Sequence, residues 1–272
     1  MTGMRVGECS PPVARRRAAR RLRLMREQAG LTLDQAAPRL DLTRSSLNRL
    51  ETGVTQVNVH VVRSMMDLYD QYSPDLLDTV RVARRRGWWH GYRVADPDYV
   101  AFETGASHVL ELAVARVPEL LQTEDYARAL VDGSADVGAE LAVRRIRQRR
   151  LSGDSSLALT VVLDEAALRN TVGGPGVMRA QLARLVVCSS WSAVTVWVLP
   201  ADAGARIRVG GFRLLGFDHP DDLPVVYLES AVGVLREEEA ERVAGVRQAF
   251  DSISTAALPS DESRTFIEQL AR

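Results

Sequence analysis

The chain has 272 residues, 35 basic and 35 acidic, so its formal net charge is zero, and 46% of it is hydrophobic. At roughly 100–200 residues per domain that length holds up to a few domains, and the composition excludes a mainly disordered chain. All the basic residues are arginine, a donor suited to phosphate and guanine, and the longest uncharged stretch, Leu185 to Ala201, is too short and serine-rich to span a membrane. No signal-type apolar core follows the N-terminal arginines, and Cys9 and Cys188 form neither a metal spacing nor a disulfide framework. The expectation is a cytoplasmic protein with no membrane partner. Charge is unevenly placed: residues 1–95 carry 17 Arg against 9 acids, a balance of +8, and residues 96–272 carry the opposite −8. An anionic partner for the first part is one reading; solvated helix faces are the other.

Arg15 to Gln28 reads as a helix with Ala18, Leu22, Met25 and Ala29 on one stripe and Arg15, Arg16, Arg20, Arg23 and Arg26 mostly off it. Gly30 is placed to stop it. Thr32 and Gln35 have capping-box spacing, in which the Thr hydroxyl accepts from the Gln35 amide and the Gln35 side chain reaches back. A short helix to about Leu40 follows, then a tight turn at Asp41-Leu42, then a helix from Arg44 to Glu51 capped by Thr43 and ended before Gly53. Two short helices joined in this way form a helix-turn-helix unit. At about 100° per residue, Arg44, Ser45, Asn48 and Arg49 share one face of the second helix while Leu47 and Leu50 share the other. A helix entering the major groove needs this division, although a solvated surface helix shows it too. Val62, Met65, Met66 and Tyr69 then form the stripe of a helix over about Val59 to Tyr69, and another helix covers Pro74 to Arg86.

The run from Leu24 to Leu33 followed by Leu42 to Gly53 resembles the Xre family of λ repressor/Cro-like helix-turn-helix proteins, over about residues 13–85. The resemblance implies a mainly α, five-helix DNA-binding domain (13–86), and the leading expectation is a regulator that binds double-stranded DNA as a homodimer. Position by position it puts Arg44, Ser45 and Arg49 at base edges and Thr32, Thr43, Asn48 and Thr52 at the DNA backbone. Two-fold pairing would set half-sites about 34 Å apart. Three positions depart from the pattern. Asp41 replaces the usual turn glycine, Leu33 replaces a phosphate-binding amide, and Pro38 sits inside the first short helix, at a typical cost of about 3 kcal/mol unless that helix begins later.

Residues 87–101, with Trp88-Trp89 and Asp96-Pro97-Asp98-Tyr99, read as an irregular aromatic linker; the tryptophans could stack on a ligand or anchor the two domains. Residues 102–272 read as an α+β ligand- or partner-binding regulatory domain. The segment from Phe102 is helical at first, Thr123 caps a helix with Glu124 and Asp125 in its first turn, and Leu141 to Leu151 carries Arg144, Arg145, Arg147, Arg149 and Arg150. Those arginines suggest a second anion site or a solvated helix paired with nearby acids. Strand signals lie at Leu157–Leu163, Val194–Leu199, Phe212–Phe217 and Val225–Leu228, giving a small sheet of about four strands. Helices are expected at Asp164–Arg169, Val177–Val187, Glu237–Ile253 and Ser260–Ala271, the last capped by Ser260.

Fragments of this region resemble an uncharacterised domain that follows Xre modules in Streptomyces and other actinomycete regulators. They include Leu120 to Ala129, Val162 to Leu168, Val172 to Pro175, Val194 to Val196, Val198 to Pro200 and Val226 to Glu229. The resemblance implies an antitoxin-like or developmental regulator, often with a very small partner protein encoded by an adjacent gene, and allows a small-molecule ligand. Glu119 in place of a glycine and Arg206 in place of a histidine depart from it. Chemistry has little support. Gly173 to Gly176 lacks a phosphate-loop lysine, Asp164 and Glu165 lie at a strand end where they fit a helix start equally well, and His60, His90, His108 and His219 are scattered. No catalytic residue, metal site or cofactor is expected; the readings to separate are DNA-binding regulator, antitoxin-like restraint of a small protein, and an enzyme on the C-terminal sheet using Asp164, Glu165 or Glu229.

Overall fold

The structure is a computed structural model that describes residues 9–92, 94–131, 136–152, 157–202, 210–230 and 233–272. Arg206 lies outside the described residues. The chain divides into two compact units. The first gathers the residues through His90 with Val100–Gly105 and His219–Asp222, and the second takes Gly91–Tyr99, Ala106–Asp218 and Leu223–Arg272.

The first unit is built on helices α1 (Pro11–Gln28), α2 (Leu33–Arg39), α3 (Arg44–Glu51), α4 (Val59–Tyr69) and α5 (Pro74–Ala83). α1 begins at Pro11 rather than Arg15, because proline is suited to a first turn whose N–H groups have no intrahelical partner. α5 ends at Ala83, short of the expected Arg86. The predicted stripes of α1, α3 and α4 meet in one core of Ala18, Leu22, Met25, Leu47, Leu50, Val62, Met65, Met66 and Tyr69, closed by Leu76, Leu77 and Val80. Leu33 packs partly buried against this core, so the position has exchanged a polar contact for an apolar one. Pro38 does not delay α2. It sits in the last turn, and the carbonyls of Ala37 and Pro38 are taken up by the amides of Leu40, Leu42 and Asp41. Trp88 and Trp89 pack inside this unit, edge to face at 6.0 Å, with Trp89 buried and Trp88 Nε1 donating to Thr104.

The supposed linker contains a helix, α6 (Pro97–Gly105), within which the division between units falls. Asp96 accepts from the Tyr99 amide at 2.9 Å and Pro97 opens the first turn, an N-terminal signature that the aromatic context hid.

The second unit carries β1 (His108–Ala113), α7 (Glu124–Leu130), α8 (Val137–Gln148), β2 (Ala158–Asp164), α9 (Glu165–Arg169), α10 (Pro175–Cys188), β3 (Val194–Leu199), β4 (Phe212–Gly216), β5 (Val225–Ser230), β6 (Gly233–Glu237), α11 (Ala240–Ala256) and α12 (Ser260–Leu270). The sheet has six strands, not four, in the order β3-β2-β1-β4-β5-β6. β1 is parallel to β2 and β2 to β3, whereas β1–β4, β4–β5 and β5–β6 are antiparallel. β1, expected to be helical, is made of good helix formers around a charged Glu111; strand pairing on both sides overrides that preference. β6 is an exposed edge strand that the sequence reading did not expect; it ends at Glu237, where the helix was expected to start, and α11 begins only at Ala240. At the opposite edge, β3 is covered: Ser263 Oγ accepts from the Val198 amide, and the Leu258 amide donates to the Val198 carbonyl, both at 2.8 Å. Ser260 lies inside α12 and makes no side-chain cap; Pro259 holds the position before it.

Alternation gives the two sheet faces different chemistry. Leu110, Leu112, Phe212, Leu214 and Val226 pack against Val243 and Phe250 of α11. The other face carries Glu111, Arg213, Tyr227 and Arg236, which register side by side across β1, β4, β5 and β6.

Candidate nucleic-acid interface

The α2–α3 pair is shaped by its own sequence. Thr32 and Gln35 form the full capping box: the Gln35 amide donates to Thr32 Oγ1 at 3.3 Å, and the Thr32 amide donates to Gln35 Oε1 at 2.9 Å. Asp41 adopts the left-handed conformation with φ 54°, so aspartate does the work of the missing glycine in the turn. Thr43 then caps α3, its hydroxyl accepting from the Ser46 amide at 3.0 Å and lying 2.8 Å from the Ser46 hydroxyl.

α3 is divided as its phase predicted. Leu47 and Leu50 are buried in the core, whereas Arg44, Ser45, Ser46, Asn48 and Arg49 are exposed. Thr32, Thr43 and Thr52 are exposed as well, so all seven residues singled out for DNA contact lie at the surface of one unit, on α2's cap, α3 and α3's two ends. Thr52 donates back to the Asn48 carbonyl at 2.8 Å, tying off the end of the helix. Arg44 Nε lies 3.2 Å from Asp34, with both side chains about two-thirds exposed or more, so the pair is weak and easily exchanged for another anion.

One determinant of this surface escaped the sequence reading. Arg26, placed among the outward arginines of the first helix, is buried and forms a two-armed pair with Glu51 at the end of α3, with Nε–Oε1 and Nη2–Oε2 both 2.8 Å. Its third nitrogen donates to the Leu31 carbonyl at 2.7 Å, so one guanidinium fixes α1, the turn before α2 and α3 together. Glu51 in turn faces Tyr69, whose hydroxyl burial and the Glu51 charge push up to about 12. Glu51 stands seven residues after Arg44 and so close to its phase, at the border of the polar face, which gave no sign that it is buried. Within α1 the arginines are also unequal. Arg21 and Arg23 are exposed, while Arg17 pairs with Asp222 through Nε–Oδ1 at 3.0 Å and a second, shorter arm.

The second unit accounts for most of the other residues singled out. Asp164 Oδ1 accepts from the Ala166 amide at 2.8 Å and caps α9; Glu165 accepts from the Ala201 amide and holds Arg169. Gly173 and Gly174 both take positive φ at the entry to α10, and a Cβ on Gly173 would press on Ala129 and Val177 at 3.0 Å. The arginine-rich helix is not solvated at Arg144 and Arg147, although Arg145 is exposed. Arg147 is buried and pairs with Glu119 at 2.5 Å, Arg144 contacts Gln122 and Glu119, and Arg145 reaches Glu124 at 3.5 Å. Burial alone would raise the Glu119 carboxyl, but the guanidinium groups of Arg147, Arg213 and Arg144 hold it far below the usual carboxylate range. The glutamate that stands in place of a glycine is therefore the counter-ion of α8. Among the described residues no group of three or more His, Cys, Asp or Glu side chains could hold a metal ion, and no helix is long and apolar enough to cross a membrane.

Comparison with known protein families gives two matches. Residues 17–80 match a helix-turn-helix domain, and residues 96–269 match a domain of unknown function, DUF5753. No curated protein and no solved structure matches the chain. The first match falls on the helices that present Arg44 to Arg49, the kind of unit with which regulators bind DNA. The second takes in well over half of the sequence: the chain belongs to the DUF5753 family and carries a helix-turn-helix domain ahead of the segment that defines it.

Proposed function

We propose that this protein is a sequence-specific transcription regulator of the Xre type that acts in the cytoplasm as a homodimer on double-stranded DNA, with the DUF5753 segment receiving a small ligand or a partner protein. One observation carries the DNA reading: within a unit that matches a helix-turn-helix domain, α3 turns Arg44, Ser45, Asn48 and Arg49 outward while its leucines and Glu51 anchor it. In this reading Arg44, Ser45 and Arg49 meet base edges, where arginine suits the O6/N7 edge of guanine. Thr32, Thr43, Asn48 and Thr52 meet the phosphates, and Arg21 and Arg23 of α1 add sequence-independent attraction. No step of it requires catalysis or a cofactor.

The test is selection from a random duplex pool with the whole chain at fixed salt. Enrichment of a two-fold repeat with half-site centres about one helical turn apart supports the reading. A pool that stays random after repeated rounds, with binding that follows salt alone, overturns it. A second reading, an antitoxin-like restraint of a small protein, is favoured by β6, which pairs only with β5 among the described strands and exposes Val234 and Leu235. Its test is co-purification with the product of a very small neighbouring reading frame.

A further inference from the structure

The polar face of the second unit's sheet encloses a pocket of about 250 Å³ lined by β1 and the residues after it (Glu111 to Arg116), by Gly211 to Arg213, and by Tyr227 and Glu229. Its place in the topology is specific. β1 is parallel to β2 but antiparallel to β4, so the pocket sits where the carboxyl end of β1 meets the amino end of β4 and the carboxyl end of β5.

The wall chemistry is equally specific. Arg213 is largely buried and lies 4.8 Å over the Tyr99 ring, with Nε donating to Glu111 Oε1 at 3.1 Å. Its Nη2 donates to Glu229 Oε1 at 2.5 Å, and Arg116 Nη2 donates to the other oxygen of the same carboxylate at 2.6 Å. Two guanidinium groups thus converge on one carboxylate, and that carboxylate and Arg116 are both more than a third exposed. Ala113 lies on the same face beside it, whereas Leu112 and Phe212 belong to the core on the α11 side.

We infer that this pocket binds a small organic carboxylate whose acid group takes the place of Glu229 between Arg116 and Arg213 while its short body lies beside Ala113 on the same face of the sheet. Glu229 is the internal stand-in: it shows that a planar carboxylate satisfies both donors. A dianionic phosphate is disfavoured, because Glu111 and the displaced Glu229 remain nearby and repel a second charge. The inference deepens the effector half of the proposed function and names its ligand class. It is measured without DNA, so it stands or falls separately from the DNA-binding reading.

The experiment is titration of the full chain, with no DNA present, using benzoate and butyrate against phosphate and chloride at constant ionic strength. Binding is read by calorimetry and by thermal shift. The expected result is saturable binding of the carboxylates alone, tightened about tenfold in Glu229→Gln, where the internal competitor loses its charge, and lost in Arg116→Gln, whose exposed side chain can be changed without opening the core. Three results would overturn the inference: no saturable response in either the native chain or Glu229→Gln, binding unchanged by Arg116→Gln, or phosphate matching the carboxylates. Glu229→Gln also guards against misfolding, since it predicts a gain that a damaged protein cannot produce.

Discussion

Two arginine-rich stretches look alike in composition and differ in what the fold makes of them. On α3, Arg44 and Arg49 project from the surface, and the ion pair of Arg44 with Asp34 is open to solvent. On α8 and β4, Arg147 and Arg213 are turned inward, each held by a carboxylate and each lying over the Tyr99 ring. The first arrangement leaves its cations available to an external anion at small cost, because exposed pairs contribute little. The second has already used its cations internally, and removing a partner there strands a charge in a poor solvent. Arginine density therefore says little about nucleic-acid binding; the burial of the guanidinium and the identity of its partner decide.

The contrast can be tested by substitutions on each side. The largest effect is expected where the N-terminal unit borrows the inward arrangement: Glu51→Gln leaves Arg26 buried with half its pairing and should cost about 3–5 kcal/mol of unfolding free energy in urea melts. A loss below about 1 kcal/mol would show that the pair does not hold α3. Next comes Glu119→Gln, expected to cost about 3 kcal/mol at neutral pH, and it has a pH signature as well. Because the folded state holds this carboxyl far below its ordinary value of 4.5, its stabilisation is complete above that value and is lost as the pH falls below it. Native protein should weaken steeply on acidification through that range, and the variant more gradually; parallel pH slopes would contradict the assignment.

On the outward side, Arg44→Ala should leave stability nearly unchanged, while DNA binding drops by about 1–3 kcal/mol and specificity relaxes at one base position. An equal loss on every sequence would place Arg44 at the backbone rather than at a base edge. The smallest effect is expected from Thr43→Ala, about 1 kcal/mol of stability through the lost cap of α3, read as a shift of the urea midpoint with an unchanged slope.

Local signals wrote much of the N-terminal unit into the sequence. The Thr32–Gln35 box, the Thr43 cap, the left-handed Asp41 and the leucine phase of α3 all involve residues within a few positions of one another, so spacing alone determines them. What escaped was long-range. Arg26 and Glu51 are 25 residues apart, and nothing in the period of either helix says that their charges meet. Glu119 and Arg147 are 28 apart, so a residue that looked like a departure from a pattern turned out to be a counter-ion. β1 failed as a local prediction for the same reason: Leu, Glu and Ala favour a helix until β2 and β4 offer hydrogen bonds on both sides and Arg213 meets Glu111. β6 failed because an exposed edge strand has no buried face to impose alternation.

By itself, then, the sequence determined the helix-turn-helix, its caps and its outward face, because hydrogen bonds and hydrophobic period act over a turn or two of chain. Only the tertiary structure decided which arginines remain available and where the mixed sheet reverses. It also brought Arg116, Arg213 and Glu229 together at one pocket, since electrostatic partnership depends on distance in space and on the water excluded between the groups.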